Sequence, residues 1–232
     1  MIGRPRIHVA ECDSTQLLLA PDAPEGAIAT TDHQTAGRGR LGRRWLEAPS
    51  TSVLASVLLR PPPERRAPEL SLVAALATAR ALEEAADVRA SVKWPNDVLL
   101  EARKVAGILA ELRSGAVVLG IGVNVNQTCA QLPAETTPPA ASLRTATGRE
   151  HDREHVLELL LEQLDVAYAS WRELGLAAVR AELAERDALR GRRVVAGGTA
   201  GVASGIDDWG RLLLETPTGH AAVESGEVLL EE

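Results

Sequence analysis

Apolar positions along this chain follow two different spacings, which together predict a domain that mixes strands and helices. Longer Ala- and Leu-rich stretches with helical spacing predict helices at 69–86, 151–171 and 176–189. Short apolar or alternating runs predict strands at 7–10, 27–31, 51–59, 91–94, 98–100, 104–112 and 116–124. The segment 128–150 between them is rich in Pro, Thr and Ala and predicts a long connection. This pattern favours an α+β fold.

The pattern changes from Gly191 onward, where short β segments alternate with glycine-bearing turns. Strands are predicted at 194–196, 199–206, 212–215, 221–224 and 228–230. Strands this short and this close predict a small β-barrel module. We therefore expect two domains, 1–190 and 191–232.

One polar stretch, residues 34–45 with the sequence QTAGRGRLGRRW, interrupts the predicted strands. It contains three glycines, four arginines and a tryptophan. Glycine lets a backbone approach a ligand closely, and the arginine fork fits carboxylates and phosphates. Because neighbouring arginines repel one another, an anion among them would bind and also order the loop. A solvated basic loop and a nucleic-acid contact remain open alternatives.

Three other segments carry candidate chemistry. The two lysines, Lys93 and Lys104, lie in the same part of the chain as all three asparagines. Ser14-Thr15-Gln16 places two hydroxyls and an amide at a predicted helix start, where local evidence favours a simple cap. In 120–124, two glycines permit either a flat ligand or tight sheet packing.

Overall composition narrows the classes of protein. The formal net charge of −7 argues against general affinity for nucleic acids or membrane surfaces. No apolar run reaches membrane-spanning length, and Cys12 and Cys129 form no C-x-x-C pair. We therefore expect a cytoplasmic protein with no membrane contact and no metal cluster.

Read in order, five motifs resemble those of the biotin protein ligase family. They are Ser14-Thr15-Gln16, the 34–45 loop, Lys93-Trp94-Pro95-Asn96-Asp97, Lys104-Val105-Ala106-Gly107-Ile108-Leu109 and Gly120-Ile121-Gly122-Val123-Asn124. The resemblance extends from about residue 7 to the last strands, and the loop together with Lys-Trp-Pro-Asn-Asp makes it highly specific. Gln16 departs from the family's usual Asn. The pattern also begins within the first few residues, so we expect no N-terminal helix-turn-helix and no specific DNA binding.

The resemblance implies a fold, a reaction and partners. The implied fold is a mixed-sheet catalytic domain of the biotin/lipoate ligase type followed by an SH3-like barrel. The implied reaction joins biotin to ATP with Mg²⁺, giving biotinoyl-5′-AMP and pyrophosphate. A lysine of a biotin carboxyl carrier protein, as in acetyl-CoA or acyl-CoA carboxylase, then accepts the biotin.

The resemblance also implies roles for individual residues. Lys104, Arg40 and Arg43 are the expected catalytic cations, and Asp97 is a candidate to hold the metal or to orient the incoming lysine. The expected biotin-binding residues are Ser14, Thr15, Gln16, Gln34, Gly37, Arg38, Gly39, Arg40, Lys104, Gly107 and Gly122. The expected ATP and adenylate contacts are Arg38, Arg40, Arg43, Trp45, Lys93, Asn96, Lys104 and Asn124.

Three rival functions remain open at this level. A lipoate or octanoyl ligase would share the fold, although the arginine-rich loop and Lys-Trp-Pro-Asn-Asp favour biotin. A nucleic-acid-binding regulator would use the basic loop, and a catalytically dead sensor would bind biotin only. The chain contains no G-x-x-x-x-G-K-[ST], which excludes a Walker-type phosphate loop.

Overall fold

A computed structural model describes residues 1–231, and its larger sheet has seven strands. Their spatial order is β1-β2-β3-β7-β6-β5-β4, with β1 parallel to β2 and the other neighbours antiparallel. The sheet is therefore mixed, as the resemblance implies. The strands are β1 Arg6–Cys12, β2 Ile28–Gln34, β3 Ser52–Leu59, β4 Ala90–Lys93, β5 Asp97–Leu100, β6 Arg103–Arg113 and β7 Ala116–Asn124.

Two long helices cover one face of this sheet. They are α1, Leu70–Ala86, and α3, Arg153–Leu174, which pack against each other and bury their apolar sides in one core with the strands. Successive strand residues point to opposite faces, so Ile108 and Ile121 face this core while Gly107 and Gly122 face the other side. The glycine side of the sheet is not covered by these helices.

The C-terminal part forms a second, five-stranded antiparallel sheet in the order β11-β10-β9-β8-β12. Side chains before β5 tie it to the first sheet: Trp94 Nε1 donates to the Gly210 carbonyl at 2.8 Å, and Lys93 Nζ donates to the Val228 carbonyl at 3.0 Å. The module predicted from residue 191 onward is thus a β structure. Its strands are β8 Arg193–Ala196, β9 Thr199–Ile206, β10 Leu212–Thr216, β11 Gly219–Val223 and β12 Val228–Leu230.

The predicted helix at 176–189 is wrong. Only a 3₁₀ turn, Gly175–Ala178, and the short helix α4, Arg180–Glu185, form there. The following residues pair with the edge strand β4 instead: Val92 N donates to the Arg186 carbonyl at 2.7 Å, and Ala188 N donates to the Val92 carbonyl at 3.0 Å. An edge strand with unpaired backbone groups has overridden the local helical pattern.

The long connection also holds a helix that the sequence pattern does not reveal, α2, Leu143–Thr147. Ser142 begins it with a reciprocal capping box, in which its side chain accepts from Thr145 N and the Thr145 hydroxyl accepts from Ser142 N. This helix is too short to show a period. Within residues 1–231, no helix is long and apolar enough to cross a bilayer.

We expect Leu164→Ala to lower the free energy of unfolding by about 2–5 kcal/mol, because truncating a buried leucine removes packing and leaves a cavity. Leu164 lies on α3, and its side chain is fully buried in the core. Leu174→Ala, at the exposed end of the same helix, is the matched control and should change it by less than about 0.5 kcal/mol. Urea titrations measure both, and equal losses would contradict this packing.

Candidate active site

Two connected chambers lie on the open face of the larger sheet. The inner chamber has a volume of about 30 Å³, and the outer cleft about 430 Å³. Arg38 and Trp45 line both, so the indole and the loop that carries it form the boundary between the two spaces. The inner chamber is lined by Ser14, Thr15, Gln16, Gln34, Arg38, Trp45, Leu54, Ala55, Gly107, Leu109, Gly120, Ile121 and Gly122.

The floor between the chambers depends on glycine. Gly107 of β6 and Gly122 of β7 are direct cross-strand partners. A Cβ on Gly122 would lie 2.6 Å from Cε2 of Trp45, and one on Gly107 would lie 3.0 Å from its Cζ3. The missing side chains therefore let the flat indole rest directly on the strands. The planar group against these glycines is a side chain of the protein itself, so the structure shows tight packing here, and a flat ligand at this position stays a prediction.

The inner chamber contains buried polar atoms without partners among the described residues. They are Ser14 Oγ, Gln16 Oε1 and Trp45 Nε1. Ser14 stands at the start of a 3₁₀ turn, Thr15–Leu17, but its hydroxyl makes no capping bond, so the expectation of a simple cap is wrong. Unpaired buried polar atoms cost free energy. Their grouping in one cavity indicates a polar ligand.

Gln16 is oriented by its surroundings. Its Nε2 donates to the Leu109 carbonyl at 3.0 Å, and a carbonyl accepts only from the nitrogen end of the amide. The side chain fits because Gly120 has no Cβ, which would otherwise lie 2.8 Å from Nε2. Oε1 is thereby the end of the amide that remains available as an acceptor.

Gln34 and Thr15 hold each other at the chamber wall. The Gln34 Oε1 accepts from Thr15 N at 2.9 Å and lies 3.3 Å from Thr15 Oγ1. Thr15 Oγ1 is also 2.7 Å from Ser56 Oγ on β3. Three separate segments of the chain are therefore fixed relative to one another around this cavity.

The outer cleft gathers the positive side chains. Lys104 Nζ lies 2.6 Å from Asp97 Oδ1 and 5.9 Å from the centre of the Trp45 ring. Arg40 Nη1 donates to Asn96 Oδ1 at 3.0 Å. The cleft is also lined by Arg38, Gly39, Arg43, Lys93, Gly107 and Asn124. Its walls concentrate positive charge in a protein whose net charge is −7.

Burial shifts the acidity of two of these cations. Burial lowers the pKa of the Arg40 guanidinium, with Arg43 adding to the effect and Asp97 opposing it. Burial likewise lowers the pKa of the Lys93 ammonium, which Asp97 partly offsets and Lys104 reinforces. In both cases burial is the largest cause, because removing a charged group from water disfavours its charged form.

Several predicted residues lie close to these chambers but are engaged within the protein. Lys93 is buried, with its ammonium on the Val228 carbonyl. Asn124 Nδ2 donates to the Ala141 carbonyl at 3.0 Å, and its Oδ1 accepts from Gln127 Nε2 at 2.9 Å. Gly37, which belongs to the loop, lines neither chamber, and a Cβ there would lie 2.6 Å from the Trp45 carbonyl.

Sequence reasoning missed two parts of the cleft. Glu227, which immediately precedes β12, and Val228, its first residue, form one wall, and Glu227 makes an ion pair with Arg43 of the loop. Residues 133–138 of the long connection form another part, which the proline-rich composition marks only as a loop. No periodicity or motif assigns Glu227 to the site, because its partner is almost two hundred residues away.

Comparison with known proteins agrees with this architecture. Residues 9–127 match the model of the biotin/lipoate A/B protein ligase family, and residues 190–230 match the biotin protein ligase C terminal domain. A biotin protein ligase from Aquifex aeolicus, solved with biotin and ATP, superposes with a TM-score of 0.89 at 33% identity, covering 99% of both chains. These matches confirm the predicted fold class, including the separate C-terminal β domain.

Curated relatives give the same result at the sequence level. The biotin–[acetyl-CoA-carboxylase] ligase of Paracoccus denitrificans is 38% identical over 95% of this chain and 98% of its own length. The Mycobacterium tuberculosis enzyme of that name is 36% identical over 95% and 87%. The bifunctional ligase/repressor BirA of Bacillus subtilis is 38% identical over 90% and 67%.

The family model covers more than half of the chain, and these relatives exceed 30% identity over most of their own length. This agreement, together with a C-terminal domain of matching type, confirms the resemblance drawn from the five motifs. The chain therefore belongs to the biotin/lipoate A/B protein ligase family, and within it to the biotin protein ligases.

Proposed function

We propose that this protein activates biotin with ATP to form biotinoyl-5′-AMP and then transfers the biotinyl group to a lysine of a biotin carboxyl carrier protein. One observation carries the proposal: a chamber with unpaired buried polar atoms opens into a cleft lined by arginines and a lysine. A polar head group and a phosphate-bearing partner fit these two spaces respectively. The names of the relatives support the same chemistry.

The polar atoms of the inner chamber suit a cyclic urea, which offers two N–H donors and one carbonyl acceptor. Gln16 Oε1 can accept, Trp45 Nε1 can donate, and the Ser14 hydroxyl can do either. An octanoyl chain has no polar head to pair with them, so its binding would leave all three unsatisfied. Sites built to hydrogen-bond a substrate reject analogues that lack the matching groups. This favours biotin over a fatty acyl substrate.

Entry of the head group requires movement. A cavity of about 30 Å³ is far smaller than the roughly 150 Å³ of a cavity that holds a single benzene ring. Trp45 lies directly above the glycine floor, and the loop that carries it turns at Leu41 and Gly42, both with positive φ. We infer that the indole and loop withdraw to admit biotin and then close over it.

In the first step, a carboxylate oxygen of biotin attacks the α-phosphorus of ATP, and the bond to the leaving pyrophosphate breaks. Two anions must approach each other, so fixed positive charges aimed at the developing phosphate charge lower the barrier. Arg40, Arg43 and Lys104 are the cations that we assign to this task. Lys104 would exchange its contact with Asp97 for the substrate oxygens.

The cleft offers few protein ligands for Mg²⁺. No group of three or more potential ligands occurs in the described part of the chain, but Mg²⁺ commonly uses one or two carboxylates together with substrate phosphates and water. Asp97 is the carboxylate that we assign to it, and the bound ion would neutralise triphosphate charge. In the second step, Asp97 is also the candidate to accept the proton of the incoming lysine, whose solution pKa is about 10.4.

Three finer points belong to the same proposal. We place the domain boundary between residues 190 and 191, and we expect the protein to act in the cytoplasm. We also expect no specific operator binding, although BirA relatives carry the name ligase/repressor. A footprint on duplex DNA at physiological salt would support a repressor role as the second candidate function.

The central prediction concerns the carrier. Incubation of the protein with a biotin carboxyl carrier domain, biotin and MgATP should raise the carrier mass by one biotinyl group, as measured by mass spectrometry. Replacing MgATP with ATP and EDTA should abolish the gain, and a carrier whose acceptor lysine is replaced by arginine is the control. An unchanged carrier mass at saturating substrates would reject the proposed reaction.

Lys104→Ala should reduce ATP-dependent pyrophosphate release by about 10²-fold or more, because it removes a charge from the phosphoryl centre. Its free energy of unfolding should change little, since Lys104 is partly exposed. Arg144→Ala, which removes a remote exposed cation paired with Glu150, is the matched control and should keep full activity. Near-normal release by a folded Lys104→Ala protein would remove Lys104 from the catalytic residues.

Arg40→Gly should still form biotinoyl-5′-AMP but release it faster, because one cation that closes the loop over the adenylate is lost. The freed mixed anhydride would then biotinylate lysines of bystander proteins. Arg44→Gly is the control within the same loop, because the Arg44 guanidinium donates to the Thr35 carbonyl at 2.6 Å instead. Intermediate dissociation rates and bystander labelling test the idea, and retention equal to that of the parent would leave Arg40 as a first-step cation only.

A further inference from the structure

Strand β6 continues past the glycine floor and carries two charged residues on the ligand side of the sheet. Because side chains alternate, Glu111 and Arg113 share the face of Gly107 and Leu109. Neither residue belongs to a motif that the sequence analysis identifies, and neither lines the inner chamber or the outer cleft. Their contacts nevertheless reach both the loop and the inner chamber.

Glu111 holds an arginine of the 34–45 loop. Arg38 Nη1 donates to Glu111 Oε2 at 3.1 Å, and Arg38 Nη2 lies 2.9 Å from Oε1, so the pair is bidentate. Such a fork fixes the direction of the guanidinium as well as its position. Arg38 lines both chambers, so this contact sets where the loop cation stands relative to them.

The same carboxylate continues the connection through Arg113. Arg113 Nη2 donates to Glu111 Oε2 at 2.5 Å, and Arg113 Nη1 donates to the backbone carbonyl of Gln16 at 2.6 Å. Gln16 is 3% exposed and belongs to the turn that places its own Oε1 at the inner chamber. An unbroken path of hydrogen bonds therefore runs from the loop to the turn that begins at Ser14.

The charges along this path make its hydrogen bonds depend on one another. Glu111 stands between two guanidinium groups, and without its charge Arg38 and Arg113 would repel each other. The side chains of these ion pairs are roughly 20–45% exposed, and a single pair at such exposure contributes little to stability. Hydrogen bonds that are bidentate or share one carboxylate strengthen one another. Loss of Arg113 would in addition leave the Gln16 carbonyl without the partner that it has in this structure.

We propose that Glu111 and Arg113 are positioning residues that couple the order of the arginine loop to the order of the Ser14–Gln16 turn. This inference rests on the proposed function, because it identifies biotin as the ligand whose binding both segments serve. A head group held by the turn favours the Arg38 position that closes the loop, and a closed loop in turn steadies the turn. The coupling acts through Glu111 and Arg113, not through contact with substrate.

A double-mutant cycle tests the coupling. Biotin dissociation constants are measured by calorimetry for the parent, Glu111→Ala, Arg113→Ala and the double variant. Each single change should weaken binding about tenfold, and the double variant should bind no more weakly than the worse single variant, because either change breaks the same path. Glu150→Ala removes a remote exposed ion pair and should bind biotin like the parent.

Tryptic cleavage provides a readout that a purely structural role would not move. Biotin should protect the loop arginines from trypsin in the parent but much less in Glu111→Ala, at matched melting temperature. Arg113→Lys, which keeps a charge and a donor, should recover part of the biotin affinity that Arg113→Ala loses. Glu111→Gln is the substitute if the alanine variant does not fold.

The outcomes separate the coupling from the function on which it rests. Multiplicative losses in the double variant, or parent-like dissociation constants in both single variants, would overturn the coupling while leaving the ligase reaction intact. If the parent protein binds no biotin, the proposed function fails and the coupling falls with it.

Discussion

The site depends on an absence of side chains at one place in the larger sheet. Gly107 and Gly122 face each other across β6 and β7, and Gly120 lies one pair further along the same face. Any Cβ at Gly122 or Gly120 would meet Trp45 or Gln16 at less than 3 Å. The helices bury the opposite face with large apolar residues, so the packing of the sheet does not depend on side chains at these three positions. The chamber is therefore built into the register of two paired strands.

A second constraint is the repulsion among the positive side chains of the site. Three cations of the site have a carboxylate partner from a different element: Lys104 with Asp97, Arg38 with Glu111, and Arg43 with Glu227. These partners hold the cations in place at a modest energetic cost, because each pair is partly solvated. In the proposed first step, an arriving phosphate or carboxylate replaces Asp97 at Lys104, whereas Glu111 and Glu227 keep their contacts with Arg38 and Arg43. Before substrate binds, the three carboxylates reduce the repulsion among these cations.

The sequence predicts the parts of this molecule whose signal is local. The alternating strands, the long helices α1 and α3, and the glycine- and arginine-bearing motifs are visible in residue order, and the structure brings residues of all five motifs to the two chambers. The missed helix α2 is too short to show a period, whereas the wrong helix at 176–189 results from pairing at long range. Residues 186–188 adopt an extended form because edge strand β4 offers backbone groups, and no property of the 176–189 segment itself reveals that.

The roles of individual residues are equally hard to predict from the sequence when they depend on distant partners. Ser14 sits where a capping residue is expected, yet its hydroxyl makes no cap bond and is left unpaired in the chamber. Glu111, Arg113 and Glu227 carry no motif, because each acts through a partner from a distant segment. Local pattern identifies residues that a reaction needs by type, whereas residues that position them are defined only by the fold.

The ion pair between Arg43 and Glu227 bears on how the loop opens and closes. Glu227 immediately precedes the last strand of the C-terminal domain, whereas Arg43 belongs to the loop over the inner chamber. Lys93, which lies next in the same cleft, is anchored on the carbonyl of Val228, the residue after Glu227. The closed loop is thus supported by both domains at once. The loop opening that we infer for entry of biotin would break this support, and closure would restore it. The second domain is in this way a structural part of the closed site, although it provides none of the residues that the motifs assign to the reaction.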